Sequence, residues 1–374
     1  MSMDSNMDYG IMEPAVMVKE VARPHMKRVY RNIAMNDRVQ MYYWRMAYVA
    51  VRNKELPTAM IRSIGRRSNH IGTCNQFWRT VTYEANRVKV LEGTCRCKDK
   101  FCHNCNQANK MVRKSRYLPH LEPFRDSLYH MTLTVPNCCG DDLRVTVHHM
   151  SRCFKKLKNY LDGNIKVRGI DLLQYGFQGC IRTLEITYKE DCYHPHFHVV
   201  AVLGNGNALE HKHIFNEFSR SKGHEDRLFS DFEIIIQRMW WLLVNGKRLT
   251  ADNILGEDSG LGRYSCVVDK CQPDDLESLF GYVTKTCSED NTPMTYENFK
   301  CLFLALKGVR QIQPYGVFYG TTKALDTADY TAQELRDYLT YDEQPVRRTY
   351  ERWSSLAYDT EYVILKARYQ PRKV

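Results

Sequence analysis

The sequence predicts an α+β protein on three observations. Three segments, within residues 127–137, 179–187 and 194–203, alternate apolar and polar residues with the period of a strand. Amphipathic, helix-like stretches lie between and after them. Ahead of them, cysteines crowd the stretch from Cys74 to Cys105, marking a small module of its own.

Taken in order, residues 1–27 are Met-rich and aperiodic, and 29–56 read as a helix closed by Pro57, so 1–73 are expected to be helical and partly disordered. Residues 61–73 are basic and polar, and a basic helix over 106–118 ends near Pro119. In "SLYHMTLTVPN", Tyr129, Met131, Leu133 and Val135 take one face of a strand and His130, Thr132 and Thr134 the other. A helix over 145–161 leads to a β-hairpin over 179–204, with Leu184 and Ile186 opposed to Thr183, Glu185 and Thr187. Further helices are expected at 234–244 and 274–285, with a short strand near 264–270 between them. The last fifty residues are charged, tyrosine-rich and expected to be helical.

Lys and Arg number 54 against 43 Asp and Glu, a formal charge of +11, which favours a polyanionic partner such as nucleic acid. No apolar run approaches a membrane span, and the N-terminus lacks the layout of a secretory signal. A cytoplasmic chain without membrane partners is expected, and most of its 14 cysteines are then free thiols. There is no phosphate-binding loop, so a motor domain is not supported.

"CKDKFCHNC" spaces Cys97, Cys102 and Cys105 as C-x4-C-x2-C, which suits tetrahedral Zn²⁺ in a structural role. Cys74 is the expected fourth ligand, with Cys95 able to replace it or Cys97 and His103 a weaker choice. Zinc would stiffen a module carrying Arg96, Lys98, Lys100, Lys110, Arg113 and Lys114, fit to grip phosphates.

"HPHFHVV" puts His196 and His198 on one strand face and Phe197, Val199 and Ala201 on the other. If the three alternating strands are neighbours in one antiparallel sheet, their polar faces merge and Glu185 lies across the hairpin from His196 or His198. A Glu-His-His set leaves positions open for water and phosphate oxygens. Mixed N and O ligation allows Mg²⁺ or Mn²⁺, with imidazole tilting toward Mn²⁺, and a zinc enzyme also fits. Further on, "FGYVTK" offers Tyr282 and Lys285 off the apolar stripe of Leu276, Leu279, Phe280 and Val283. A phenol, with a pKa of about 10, needs a nearby cation and ammonium to act as a nucleophile at neutral pH.

Together these segments resemble the Gram-positive rolling-circle replication initiators (Rep) of small plasmids, within the HUH endonuclease superfamily. "HMTLTVPN", "LEITYKEDCYHPHFHVV" and "GYVTK" are similar to its three motifs, "CKDKFCHNC" to its cysteine cluster and "LKGVRQIQPYGVFYG" to its closing strand. The resemblance implies a ferredoxin-like antiparallel sheet with helices packed on it over residues 121–325, preceded by the zinc module at 74–120 and followed by a tail at 326–374. It implies His196, His198 and Glu185 as ligands of a catalytic Mn²⁺ or Mg²⁺, Tyr282 as nucleophile and Lys285 as its phosphate or metal-water partner. Cleavage at an origin hairpin or single strand would link Tyr282 to the 5′ phosphate and free a 3′ hydroxyl for a host helicase and polymerase; a homo-oligomer fits the same role. One departure concerns the glutamate that activates the terminating water. The position one turn before Tyr282 is Ser278, while Glu277 lies about 140° round a regular helix and Asp275 two turns back. Either could serve. The rival readings are an HUH relaxase or single-strand transposase, and a non-catalytic zinc-bearing DNA-binding regulator.

Overall fold

The computed structural model describes residues 22–54, 56–83, 88–204, 209–214, 228–256, 266–271, 294–320, 347–352 and 362–363. Helices α1 (Ala22–Asn53) and α2 (Thr58–Gly72) precede strands β1 (Phe77–Tyr83) and β2 (Val88–Thr94) and helix α3 (His103–Leu121). Then come β3 (Leu128–Thr134), α4 (Gly140–Leu161), β4 (Phe177–Lys189), β5 (Cys192–Leu203), β6 (His213–Ile214) and β7 (Leu228–Phe229). They are followed by α5 (Asp231–Val244), α6 (Ala251–Leu255), β8 (Cys266–Lys270), α7 (Tyr296–Ala305), β9 (Ile312–Gly316), β10 (Arg347–Arg352) and β11 (Tyr362–Val363). The chain divides into two compact units, residues 116–324 and residues 1–115 with 325–374. Among the described residues, no helix is long and apolar enough to cross a membrane.

In the 116–324 unit, five strands pair in the order β8-β3-β5-β4-β9, every pair antiparallel. This is the α+β architecture expected, with the three alternating strands as neighbours. Alternation sorts the faces. Met131, Leu133, Leu184, Ile186, Phe197 and Val199 share the face on which Phe197 meets Phe154 of α4 and Trp240 of α5, ring centroids 5.6 and 6.3 Å apart. Trp240 Nε1 also donates to the Thr134 carbonyl at 2.7 Å, tying α5 to the end of β3.

The other face has two halves. At one end Leu128, Ile181, Val200 and Val202 pack with Tyr117, Leu118 and Leu121 from α3 in a closed apolar cluster. Further along the same strands the residues turn polar, and there the site lies. The hairpin turn at Glu190 and Asp191 is held from two sides: Asn298 Nδ2 donates to the Glu190 carbonyl at 2.7 Å, and Gly140 N donates to Asp191 Oδ1 at 3.1 Å. Glu190 takes a left-handed φ of 55° there, a cost these anchors offset. With the turn fixed, the β4–β5 register is fixed too.

In the other unit β10, β1, β2 and β11 form a four-stranded sheet in that order. Here the sequence reading needs correction. Residues 347–352, expected to be helical, form a strand paired antiparallel with β1. An Arg-rich run beside a β-branched and aromatic partner takes its state from pairing, which local periodicity does not encode. β1 and β2 were not foreseen, nor was α2. In α2 Ile64, Ser68 and Ile71 make a narrow buried stripe within an otherwise basic, polar segment. Helix α3 also runs past Pro119 to Leu121 before a 3₁₀ turn.

Candidate metal centres

Strand pairing sets Glu185 directly opposite His196, and Thr183 and Thr132 opposite His198 on its two sides. Both imidazoles converge on one carboxylate oxygen: His196 Nε2 is 2.8 Å and His198 Nε2 2.7 Å from Glu185 Oε2. All three residues are buried, at 5, 8 and 7% exposure for Glu185, His196 and His198. Burial pushes the Glu185 carboxyl up, but the hydrogen bonds from His196 and His198 outweigh it and hold the pKa at about 2. The carboxylate is therefore charged at neutral pH.

The donor set fits a divalent cation. One ligand atom from each of the three residues lies within 4.8 Å of the others. Three ligands of mixed N and O type leave positions open, as a catalytic ion needs. On the same face the fully buried Thr183 hydroxyl has no hydrogen-bond partner among the described residues, a polar atom for which a bound ion's solvent shell would provide one. The outer contacts are equally specific. His196 Nδ1 donates to the His194 carbonyl at 3.2 Å, and His198 Nδ1 lies 3.1 Å from His130 Nε2. Sequence reasoning placed His130 on this polar face and gave it no role.

The second centre joins Cys74, Cys97, Cys102 and Cys105. Sulfur–sulfur distances are 3.5 Å for Cys74–Cys105 and Cys74–Cys102 and 3.6 Å for Cys97–Cys105. Cys95 is exposed and stands outside the group, as does His103. Backbone amides of Lys98, Asp99 and Cys105 point at the sulfurs of Cys105, Cys97 and Cys102 from 3.3 to 3.4 Å. These thiols conflict with one another. Hydrogen bonds from Cys102, Cys74 and Cys97 push Cys105 far down, while Cys105, Cys74 and Cys97 push Cys102 far up. A tetrahedral cation removes that conflict by letting all four be thiolates, and so the set fits one. The cysteines described in the structure are all free of disulfides.

Two α1 residues and one from α2 brace the knuckle, none of them evident from cysteine spacing. Asn36 Nδ2 donates to Cys102 Sγ at 3.2 Å while its Oδ1 accepts from His103 N at 2.9 Å. Asp99, buried, accepts from the Tyr43 hydroxyl, from Arg67 at 2.7 Å and from Phe101 N at 2.9 Å. Beside it a cavity of about 300 Å³ is lined by Ser63, Arg66, Arg67, His70, Cys97, Lys98 and Asp99. Tyr282, Lys285, Glu277, Asp275 and the expected helix around them lie outside the described residues.

An antiparallel sheet with a buried Glu-His-His centre, in a chain that also holds a four-cysteine knuckle, defines an α+β protein built around two candidate metal sites. Residues 88–214 match the Rep_1 family of replication proteins. The chain is 25% identical over 177 residues to a "Protein rep" of Lentilactobacillus hilgardii, covering 46% of this chain and 53% of that one. It is 27% identical over 177 residues to a "Protein rep" of Staphylococcus aureus, covering 44% and 71%. A "Protein rep" of a Bacillus species is 39% identical over 72 residues, covering 19% and 20%. The chain thus spans about half the length of the first of these relatives. Over this stretch the chain is similar to Rep-type replication proteins. The matched segment includes Cys97, Cys102, Cys105, Glu185, His196 and His198 and stops short of Tyr282. No solved structure matches.

Proposed function

We propose that this chain initiates rolling-circle replication by nicking one DNA strand and transferring it through a tyrosine ester, within a ferredoxin-like HUH fold. The observation that carries the reading is the convergence of His196 and His198 on Glu185 on the polar half of one face of an antiparallel sheet. A divalent cation held by these three residues, Mn²⁺ or Mg²⁺, would polarise the scissile phosphate. Tyr282 Oη attacks that phosphorus, giving up its proton; the P–O3′ bond breaks and the 3′ oxygen leaves as a hydroxyl. Lys285 offsets charge on the phosphoryl oxygens. Zn²⁺ on Cys74, Cys97, Cys102 and Cys105 is structural, organising the 74–120 segment as a phosphate-gripping module while 121–325 carries the chemistry. Glu277 or Asp275 activates the terminating water. The DNA partner is an origin hairpin or single strand, and a host helicase and polymerase extend the freed 3′ end.

The test is incubation of the purified chain with labelled single-stranded oligonucleotides and Mn²⁺, followed by mass spectrometry. A nucleotide-modified peptide carrying Tyr282 is expected. Tyr282→Phe should abolish the adduct and the nick while leaving DNA binding intact; nicking by that variant at the normal rate rejects the nucleophile.

A further inference from the structure

An imidazole can present a lone pair to a cation from one nitrogen only if the other keeps its proton, and that proton needs an acceptor when buried. The two histidines solve this differently. His196 Nδ1 faces the His194 backbone carbonyl, which can only accept. His198 Nδ1 faces a side chain on the neighbouring strand, His130 Nε2, at 3.1 Å. The two rings are within 14° of parallel, with centroids 5.2 Å apart. That separation, with so short an N···N contact, sets them edge to edge and nearly coplanar, as an in-plane hydrogen bond requires. His130 reaches this position because β3 pairs with β5 so that Thr132 lies opposite His198 and His130 opposite Val200, one step along the same face. It is not itself a member of the Glu185, His196 and His198 group.

We propose that His130 is a positioning residue that holds His198 in its metal-binding tautomer. The inference rests on the Glu-His-His centre proposed above. Without a cation, His198 Nε2–H can donate a hydrogen bond to the Glu185 carboxylate, and His130 Nε2 then donates to Nδ1. With one, Nε2 supplies its lone pair, the His198 proton resides on Nδ1, and His130 Nε2 turns acceptor. A carbonyl could not serve both ways; a second imidazole can, by exchanging tautomers. His130 thereby keeps the His198 ring in one orientation through both states.

The experiment measures Mn²⁺ binding by the full chain, following free Mn²⁺ by electron paramagnetic resonance. His130→Leu removes the partner, and Kd should rise about 10- to 100-fold, as for loss of other outer-sphere partners of metal-bound histidines. In His130→Gln an amide can again donate or accept, and affinity should return to within about threefold of the parent protein. Long-range ¹H–¹⁵N spectra of the parent protein loaded with diamagnetic Zn²⁺ supply a readout that no folding defect can mimic. His130 should carry its proton on Nδ1, with Nε2 bare; a protonated Nε2 in the loaded protein overturns the proposal. Equal Mn²⁺ affinity of His130→Leu and parent overturns it too, while leaving the metal centre standing. Should the parent bind no Mn²⁺ or Zn²⁺ at this site, with His196→Ala and His198→Ala changing nothing, the centre and the inference fall together.

Discussion

Glu185 and His196 face each other across the β4–β5 hairpin as register partners, and Glu185 Oε2 lies 2.8 Å from His196 Nε2. The carboxylate is thus carried on the strand beside the one that carries the imidazoles. Its position depends on a turn held by Asn298 and Gly140 rather than on any local loop. Glu185→Gln keeps the shape and removes the charge, so Mn²⁺ affinity should fall at least as far as for loss of an outer-sphere partner, about 10-fold or more. Calorimetric titration checks this, and an unchanged isotherm removes Glu185 from the ligand set.

Thiol reactivity should separate the cysteines into three groups. Exposed Cys95, Cys139 and Cys192 should react at once with a disulfide reagent. Cys74, Cys97, Cys102 and Cys105 should react only after chelation removes zinc. Cys180, whose thiol burial pushes up to about 12, should wait for unfolding. Counting thiols released before and after chelator, with Cys74→Ser as a control, tests the knuckle.

The cavity beside the knuckle gathers Arg66, Arg67, His70 and Lys98 around Asp99, whose charge Arg67 already meets at 2.7 Å. If it contacts DNA phosphate, Arg66→Glu with Lys98→Glu should weaken oligonucleotide binding for every sequence alike. The slope of log K against log salt should shrink by about one unit or more for single strands. Fluorescence anisotropy over a salt series measures it; an unaltered slope places the phosphate contacts elsewhere.

Tyr175, a member of neither centre, offers a pH test. Burial, then the charges of Asp231 and Asp171, push its phenol up to about 12. The unfolded chain loses this proton near the ordinary value of about 10, so its contribution is fully present below that pH and is lost as pH rises toward 12. Urea midpoints measured between these limits should fall less steeply for Tyr175→Phe than for the parent protein.

Much of the candidate site was legible in the linear chain. Period-two alternation in "HMTLT", "TLEIT" and "HPHFHVV" assigns His196, His198, Glu185 and Thr132 to polar faces whatever the sheet order, because successive side chains in a strand must point opposite ways. The spacing of Cys97, Cys102 and Cys105 likewise announces a cation site, since thiolates so close together need one. What alternation cannot say is which strand lies beside which. Only the tertiary structure places β5 between β3 and β4, and so decides that Glu185 meets both imidazoles and that His130 stands behind His198. That Cys74 rather than Cys95 lies in the candidate cysteine group, and that Asn36, Tyr43 and Arg67 contact the knuckle, follow likewise from packing. The second sheet escaped notice altogether: β10 pairs with β1 across more than two hundred residues of chain. Periodicity is a property of neighbours in sequence and reports a residue's face. Partners are chosen by hydrogen bonding and apolar burial between distant segments, and these exist only once the chain has folded.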